Sequence, residues 1–371
     1  MTLHLYFARK FLTAFLGLFG LFGVMIMLLD MVEQLRRFDD AGISLGGAAS
    51  LALLSMPQAL YQILPLVVIL ATLVLFLGLA RTSEMVVARA AGRSALRALV
   101  APVLAALCIG VTSVAVLNPI VAGTMQRYET RAAEITSGDG QVVSVSREGL
   151  WLRQGSETAQ TVIRADRANY DGTTLYNVTF LDFALGDERA QAEGGPIRRI
   201  DAAVAGLADG LWLLKDAKIW DLEAPNPEAS AELAAEFVIP SSLTREQILD
   251  SFGAPASVPI WDLPAYIANL SQAGFSARLH RVWFQMELAL PLFLAGMVLI
   301  GASFTMRHTR FGRTGLMVLF ALMLGFGVFF IRNFAQILGE NGQIPVALAA
   351  WAPPAAAILL SLGLLLHMED G

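Results

Sequence analysis

Side chains able to do chemistry lie in three places in this sequence. The first joins Arg36 and Arg37 to Arg127 and Arg131. Guanidinium groups suit phosphate and carboxylate because their planar fork meets two oxygens at once, so these four form a candidate site for an anionic ligand. Asp30, Glu33, Asp39, Asp40, Glu129 and Glu134 are close enough in sequence to neutralise it. The second place is RTSEMVVARAAGRS, residues 81–94, with Arg81, Glu84 and Arg89. Thr82 or Ser83 can start a helix there, Glu84 falls in its first turn where the dipole favours an acid, and Gly92 can end it. A surface helix of this kind can dock in the groove of a soluble partner, or it can be a basic connector resting on anionic headgroups. The third place holds Glu287 and Arg332, two charged residues in otherwise apolar stretches. They can pair across two helices, or each can reach separately to the headgroups.

Catalytic chemistry has no visible constellation. The sequence contains no GxxxxGK loop followed by Ser or Thr and no HExxH, and His4, His280, His308 and His367 are widely separated. We expect no catalytic residue, no metal site and no cofactor. The single cysteine, Cys108, lies in an apolar stretch, so the polar middle of the chain holds no disulfide and must be stabilised by its own core.

The elements that position these groups follow from composition. With 56% hydrophobic residues, 15% charged residues and a mean hydropathy of +0.61, the chain is far more apolar than a soluble domain. Six stretches are long enough to cross about 30 Å of hydrocarbon as helices: about 11–29, 58–80, 99–117, 282–306, 315–331 and 345–366. The first resembles a signal peptide but is too long and runs into LLDMVEQLRRFDD rather than a small-residue cleavage site, so it reads as a retained helix. It is expected to continue through Arg37. A loop over residues 42–57 leads to the second span, where Pro65 suggests a kink. Pro353 and Pro354 are expected to interrupt the sixth.

Between the third and fourth spans lies a polar block in which acidic residues outnumber basic ones. It opens with a helical stalk to about Gly138. Strand-like runs then begin at Gln141, Leu150, Thr161, Thr173, Ile197, Leu211 and Ala217, with turn pairs Asp171-Gly172, Gly194-Gly195 and Asp209-Gly210 among them. Such spacing indicates an antiparallel sandwich or jelly roll. Two helix-like segments, SSLTREQILDSF and WDLPAYIANLSQAGF, close the block.

The expected fold is therefore a polytopic α-helical membrane protein with six transmembrane helices, three on each side of an antiparallel β jelly-roll domain. Residues 1–117 hold spans one to three with the helix at 81–94, residues 118–277 the β domain with helical connectors, and residues 278–371 spans four to six. Basic residues crowd the loops on one side of the membrane, at Arg9, Lys10, Arg81, Arg89, Arg93, Arg97, Arg307, Arg310 and Arg313. The positive-inside rule places that side and both termini in the cytoplasm, and the β domain outside it, in the periplasm of a bacterium.

This arrangement, with MVEQLRR from Met31, RTSEMVVARAAG from Arg81, EGLWLRQG from Glu148 and NGQIPVALAAWAP from Asn341, resembles the LptF/LptG family of lipopolysaccharide export permeases over essentially the whole chain. VEQLRR and EGLW bring it closer to the LptG branch. The resemblance implies a non-enzymatic subunit of the bacterial inner membrane, in a heterodimer with an LptF paralogue, with two copies of the cytoplasmic ATPase LptB, with LptC, and with lipopolysaccharide passed to the periplasmic LptA bridge. It also implies that Glu84 is the acidic position of the helix that meets the ATPase. Arg36 and Arg37 match basic residues facing the lipid headgroup, and Arg127 and Arg131 fall where the family has basic residues after span three. Where a family lysine can precede VEQLRR, this chain has Asp30. The rival readings are another ABC-type envelope permease, such as a lipoprotein-release or mechanotransmission subunit, whose chains typically have four spans, and a membrane-anchored envelope-lipid enzyme.

Overall fold

A computed structural model describes residues 2–39, 42–82, 84, 95–136, 144–146, 149–155, 159–169, 173–184, 195–208, 210–241, 243, 248, 254–272, 276–306 and 314–369. They divide into two compact units. One comprises Met1–Ile135, Pro255–Trp261 and Arg278–Gly371, the other Thr136–Ala254 and Asp262–Ala277.

The first unit is helical. α1 (Thr2–Arg37) is one uninterrupted helix, as nothing in it breaks the hydrogen-bond ladder. α2 (Leu45–Gln62) begins where Ser44 accepts a bond from the Gly47 N–H at 3.1 Å, so most of the expected loop over 42–57 is helix and Pro57 lies inside it. Ser44 is a good N-cap, and Gly42 before it, at φ +64°, turns the chain. The kink expected at Pro65 is a break at Ile63, after which α3 (Leu64–Arg81) restarts with the proline in its first turn. α4 (Ala95–Thr112), a π-helical turn (Ser113–Leu117) and α5 (Asn118–Thr136) follow as one rod. α7 (Arg278–Thr305), α8 (Thr314–Glu340) and α9 (Val346–Glu369) complete the unit, and α9 runs through Pro353 and Pro354 without interruption. Six helices are long and apolar enough to cross a membrane.

α7 is the central helix, with most of its length buried against α3, α4, α8 and α9. It meets α4 closely at one point. A Cβ on Gly110 would lie 2.5 Å from the Pro291 Cα, so only glycine allows the two backbones to meet there. α1 and α8 are the least buried of the six. Leu316, Leu319, Phe320, Met323, Phe326, Phe330, Phe334 and Ile337 form an exposed stripe along α8 at helical spacing.

The second unit is a seven-stranded antiparallel sheet of β1 (Ser144–Ser146), β2 (Gly149–Gly155), β3 (Ala159–Ala168), β4 (Thr174–Ala184), β5 (Arg198–Ala208), β6 (Leu211–Asp221) and β7 (Glu232–Pro240). Its order is sequential, β1 to β7. The antiparallel β domain is as expected, but its described strands pair as a meander, without the Greek-key crossing that defines a jelly roll in the strict sense. Most of the connections are short, and short connections join neighbours. Trp212, Phe180, Leu152, Ile163 and Leu175 form the core, with α6 (Leu263–Gln272) contributing Leu270 and Ile267. α6 matches the second expected helix-like segment. Most of the first lies outside the described residues.

Two corrections concern strands. β7, ELAAEFVIP, was not anticipated, because charge interrupts its apolar pattern. The runs starting at Leu211 and Ala217 form one strand rather than two. In β6 the buried positions are 212, 214 and then 217, so the alternation slips by one at Lys215-Asp216, which imitates a strand end. Asp216 absorbs the slip at φ +53°, a region that Asp tolerates better than most residues. The same slip occurs in β5, where 200 and 202 give way to 205, and in β4, where Leu175 is followed by Val178 across Asn177 at φ +52°. Asn177 and Asp216 both stand opposite position 203, since Tyr176 pairs with Val204 and Val204 with Lys215. The phase change therefore crosses the sheet as a row, and pairing on either side keeps one register.

Candidate functional site

Glu84 is held by residues far from it in sequence. Lys10 donates to both carboxylate oxygens, at 2.9 and 3.1 Å, the Tyr6 hydroxyl donates to one at 2.9 Å, and Thr82 to the other at 2.9 Å. Tyr6 and Lys10 are one turn apart on α1, and the Lys10 ammonium lies 4.6 Å from the Tyr6 ring centre. Partial burial pushes the Glu84 carboxyl up, but the Lys10, Thr82 and Tyr6 hydrogen bonds outweigh it and hold the group below its ordinary value. Arg81 ends α3 just before this knot. Arg89 and the rest of the helix expected at 81–94 lie outside the described residues. Sequence reading missed Tyr6 and Lys10 as partners. The available signal was a Tyr and a Lys at i and i+4 at the basic end of the first span.

At the other end of α1 a chain of hydrogen bonds ties three helices together. Arg37 donates to the Tyr128 hydroxyl of α5 at 3.1 Å, Tyr128 donates to Gln34 at 3.2 Å, and Gln34 donates to Asp30 at 3.3 Å. Asp30 also accepts from the Ser55 hydroxyl of α2. Beneath them Phe38, Leu51 and Tyr128 form a small core. Asp30 thus serves as an internal brace. Arg36 is exposed and, among the described residues, pairs at 2.9 Å with Glu33 one turn away. Arg127 and Arg131 are exposed, one turn apart on α5, on either side of Tyr128 in sequence. Through Tyr128 the structure links α5, with its two arginines, to Arg37.

Glu287 and Arg332 line one cavity among α2, α3, α7 and α8, but they form no direct ion pair. Glu287, 2% exposed, accepts from the Tyr61 hydroxyl. Arg332 stacks over Phe293, its guanidinium carbon 5.4 Å from the ring centre. Similar depth brought the two residues to one cavity, yet the Tyr61 hydroxyl takes the carboxylate.

A larger cleft of about 970 Å³ runs between α1 and α4, with Leu5, Leu12, Phe15 and Leu16 on one wall and Val100, Leu104 and Ile109 on the other. Cys108, the free cysteine, is on this wall. Further along α1 come the guanidinium groups of Arg36 and Arg37. Apolar walls with cations beyond them on the same helix suit an amphiphile, and with six spanning helices they describe a multi-pass membrane permease. The chain belongs to the family of the lipopolysaccharide export system permease LptF/LptG, whose model matches residues 5–367.

Among its relatives, the lipopolysaccharide export system permease protein LptG of Escherichia coli (strain K12) is 23% identical over 343 residues, covering 92% of this chain and 91% of that protein. The protein of the same name from Haemophilus influenzae is 23% identical over 373 residues, covering 100% of this chain and 99% of that protein. Six spans and family membership make the chain a multi-pass protein of the inner membrane.

Proposed function

We propose that the chain is the LptG-like permease subunit of an ABC transporter that withdraws lipopolysaccharide from the inner membrane and passes it to a periplasmic bridge. The observation that carries this reading is the family match over residues 5–367, spanning both helical triplets and the inserted β domain. Both termini then face the cytoplasm and the β domain faces the periplasm, in keeping with the basic loops. The least buried spans, α1 and α8, face the acyl chains or an LptF-like paralogue. Extraction withdraws each CH₂ from lipid at about 0.8 kcal/mol, so a cleft with apolar walls offsets part of that cost. Arg36, Arg37, Arg127 and Arg131 meet the phosphates of the headgroup.

The work comes from a dimeric LptB-like ATPase, because this chain supplies structure rather than hydrolysis. Glu84, with Arg81 and Arg89, transmits the ATPase movement. The Lys10 and Tyr6 contacts supply a route from that point into α1, the helix that carries both the cleft wall and Arg36 and Arg37. LptC and the LptA bridge complete the assembly.

The test is co-expression of the full chain with a candidate paralogue, ATPase and LptC, followed by affinity purification and mass spectrometry of bound protein and lipid. Recovery of the ATPase, a six-span paralogue and lipopolysaccharide is the expected result. An ATPase with bound lipoprotein, or no ATPase at all, would overturn the assignment.

A further inference from the structure

We propose that Trp261 is a positioning residue for the cleft between α1 and α4. Through the carbonyl of Ala115 it fixes the stretch of cleft wall beyond Gly110 and joins that wall to the chain of the β unit. That acyl chains occupy the cleft rests on the function proposed above; the geometry of the wall does not.

The π turn at Ser113–Leu117 has a local cause. In an α-helix the Ala115 carbonyl would accept from residue 119, and residue 119 is a proline, with no N–H and a ring that crowds the carbonyl four residues back. The ladder widens instead, and the Asn118 N–H bonds the Ser113 carbonyl, five residues back. Such turns are frequent at functional sites, and the carbonyl that Pro119 leaves needs a donor from elsewhere. At Ala115 the donor is the Trp261 indole N–H, at 3.2 Å.

Trp261 arrives by an excursion of the chain. The β unit runs to Ala254 and resumes at Asp262, while Pro255–Trp261 belongs to the helical unit. This segment is stitched to the rod of α4 and α5 at three points. Gln126 donates to the Ser257 carbonyl at 2.9 Å, the Ile260 N–H donates to the Asn118 Oδ1 at 2.9 Å, and Trp261 donates to Ala115. Ala256, Ser257 and Ile260 are buried, whereas Trp261 is 68% exposed, so it is tied by its N–H more than by its ring.

The same turn builds the cleft. Ser113, Val116 and Leu117, with Ile120 just after Pro119, line it together with Phe15 and Leu16 of α1. Before the turn, the close approach of Gly110 to the Pro291 backbone fixes α4 on α7, so the π turn is where the wall can change its course. Because Pro255–Trp261 continues into the β unit at both ends, a pull on that unit reaches the wall through Trp261.

The experiment measures distances between spin labels across the cleft in the full-length protein in lipid nanodiscs, with Cys108→Ala as background because Cys108 is a free, exposed cysteine. One pair is Leu16 and Ile120; the control pair is Leu5 and Val100, which line the same cleft. Trp261→Phe keeps a ring and removes the donor. It should broaden the Leu16–Ile120 distribution and move its mean by roughly 1.5 Å or more, the rise of one helical residue, with the Leu5–Val100 distribution unchanged. Pro119→Ala supplies an N–H at residue 119, so in that background Trp261→Phe should produce no further change. An unchanged Leu16–Ile120 distribution, an equal change in both pairs, or the full effect of Trp261→Phe in the Pro119→Ala background would overturn the proposal. Lipid is read separately, by photocrosslinking of lipopolysaccharide from a benzophenone side chain at position 16. A crosslink that weakens several-fold with Trp261→Phe extends the positioning role to the acyl chains, and one that Trp261→Phe leaves unmoved would overturn that role. No crosslink in the otherwise unsubstituted chain counts against the acyl-chain reading of the cleft, while the spin-label distances still decide the geometry of the wall.

Discussion

Lys10 grips both oxygens of Glu84, at 2.9 and 3.1 Å, and so joins the first span to the residue just beyond the end of α3. In the proposed transporter this ion pair links the ATPase-facing loop directly to the helix that carries the arginines. An exposed pair of this kind contributes less than about 1 kcal/mol to stability, so large functional effects on its removal reflect coupling rather than unfolding. Glu84→Ala should leave insertion and thermal stability nearly unchanged while reducing co-purification of the ATPase or separating hydrolysis from export. Lys10→Ala should reproduce part of this loss. Normal complex formation and export in Glu84→Ala would remove the coupling role.

The same contact makes a pH prediction. Glu84 is held below its ordinary value of 4.5, so its folded form favours the charged carboxylate. Its contribution is then fully present above the unfolded value and lost as the pH falls through the lower folded value. The stability difference between the protein and Glu84→Gln should be constant from about pH 8 to pH 5.5 and shrink only below about pH 4.5. A difference that fades between pH 7 and 6 contradicts this.

Arg36 and Arg37 have different surroundings and should respond differently. Arg37 is braced by Tyr128 at 3.1 Å, whereas the polar partner of Arg36 among the described residues is Glu33. Replacing both with Ala should lower photocrosslinking of lipopolysaccharide several-fold without loss of assembly. Tyr128→Phe, which keeps the ring in its small core but removes the brace, should lower crosslinking at Arg37 more than at Arg36. Full crosslinking in the double variant would detach these arginines from the ligand.

Packing supplies a prediction independent of function. A methyl at Gly110 would meet the Pro291 backbone at 2.5 Å, and backbone cannot turn aside as a flexible side chain can. Gly110→Ala should destabilise the protein by about 1–3 kcal/mol, seen as a lower unfolding temperature in detergent. Gly123→Ala, where nothing lies within 4 Å of the added atom, is the matched control and should be neutral or slightly stabilising.

Much of the architecture was legible along the chain. The six apolar runs became six membrane-competent helices, and the strand-like runs became an antiparallel domain, because span length and strand alternation are local properties that a short window of sequence contains. The errors also have local causes. LWLLKDAKIWDLE looked like two strands because its apolar phase slips once, and only the aligned slips in β4 and β5 show a single strand crossing a shared row. ELAAEFVIP looked unlike a strand because β7 buries little of its surface.

Partner choice was not legible. Glu84 is joined to Tyr6 and Lys10, which precede it by 78 and 74 residues. Asp30 is held by Ser55 and Gln34 rather than left for a headgroup. Glu287 accepts from Tyr61, 226 residues away, although residue counting pointed to Arg332. The sequence by itself determined which segments enter the membrane, which form the sheet and which carry charge, because hydrophobicity and its period are written residue by residue. The tertiary structure decided which polar groups meet, because a buried donor or acceptor takes whichever partner the packing of helices brings within hydrogen-bond reach, and that packing is set by contacts distributed over the whole bundle.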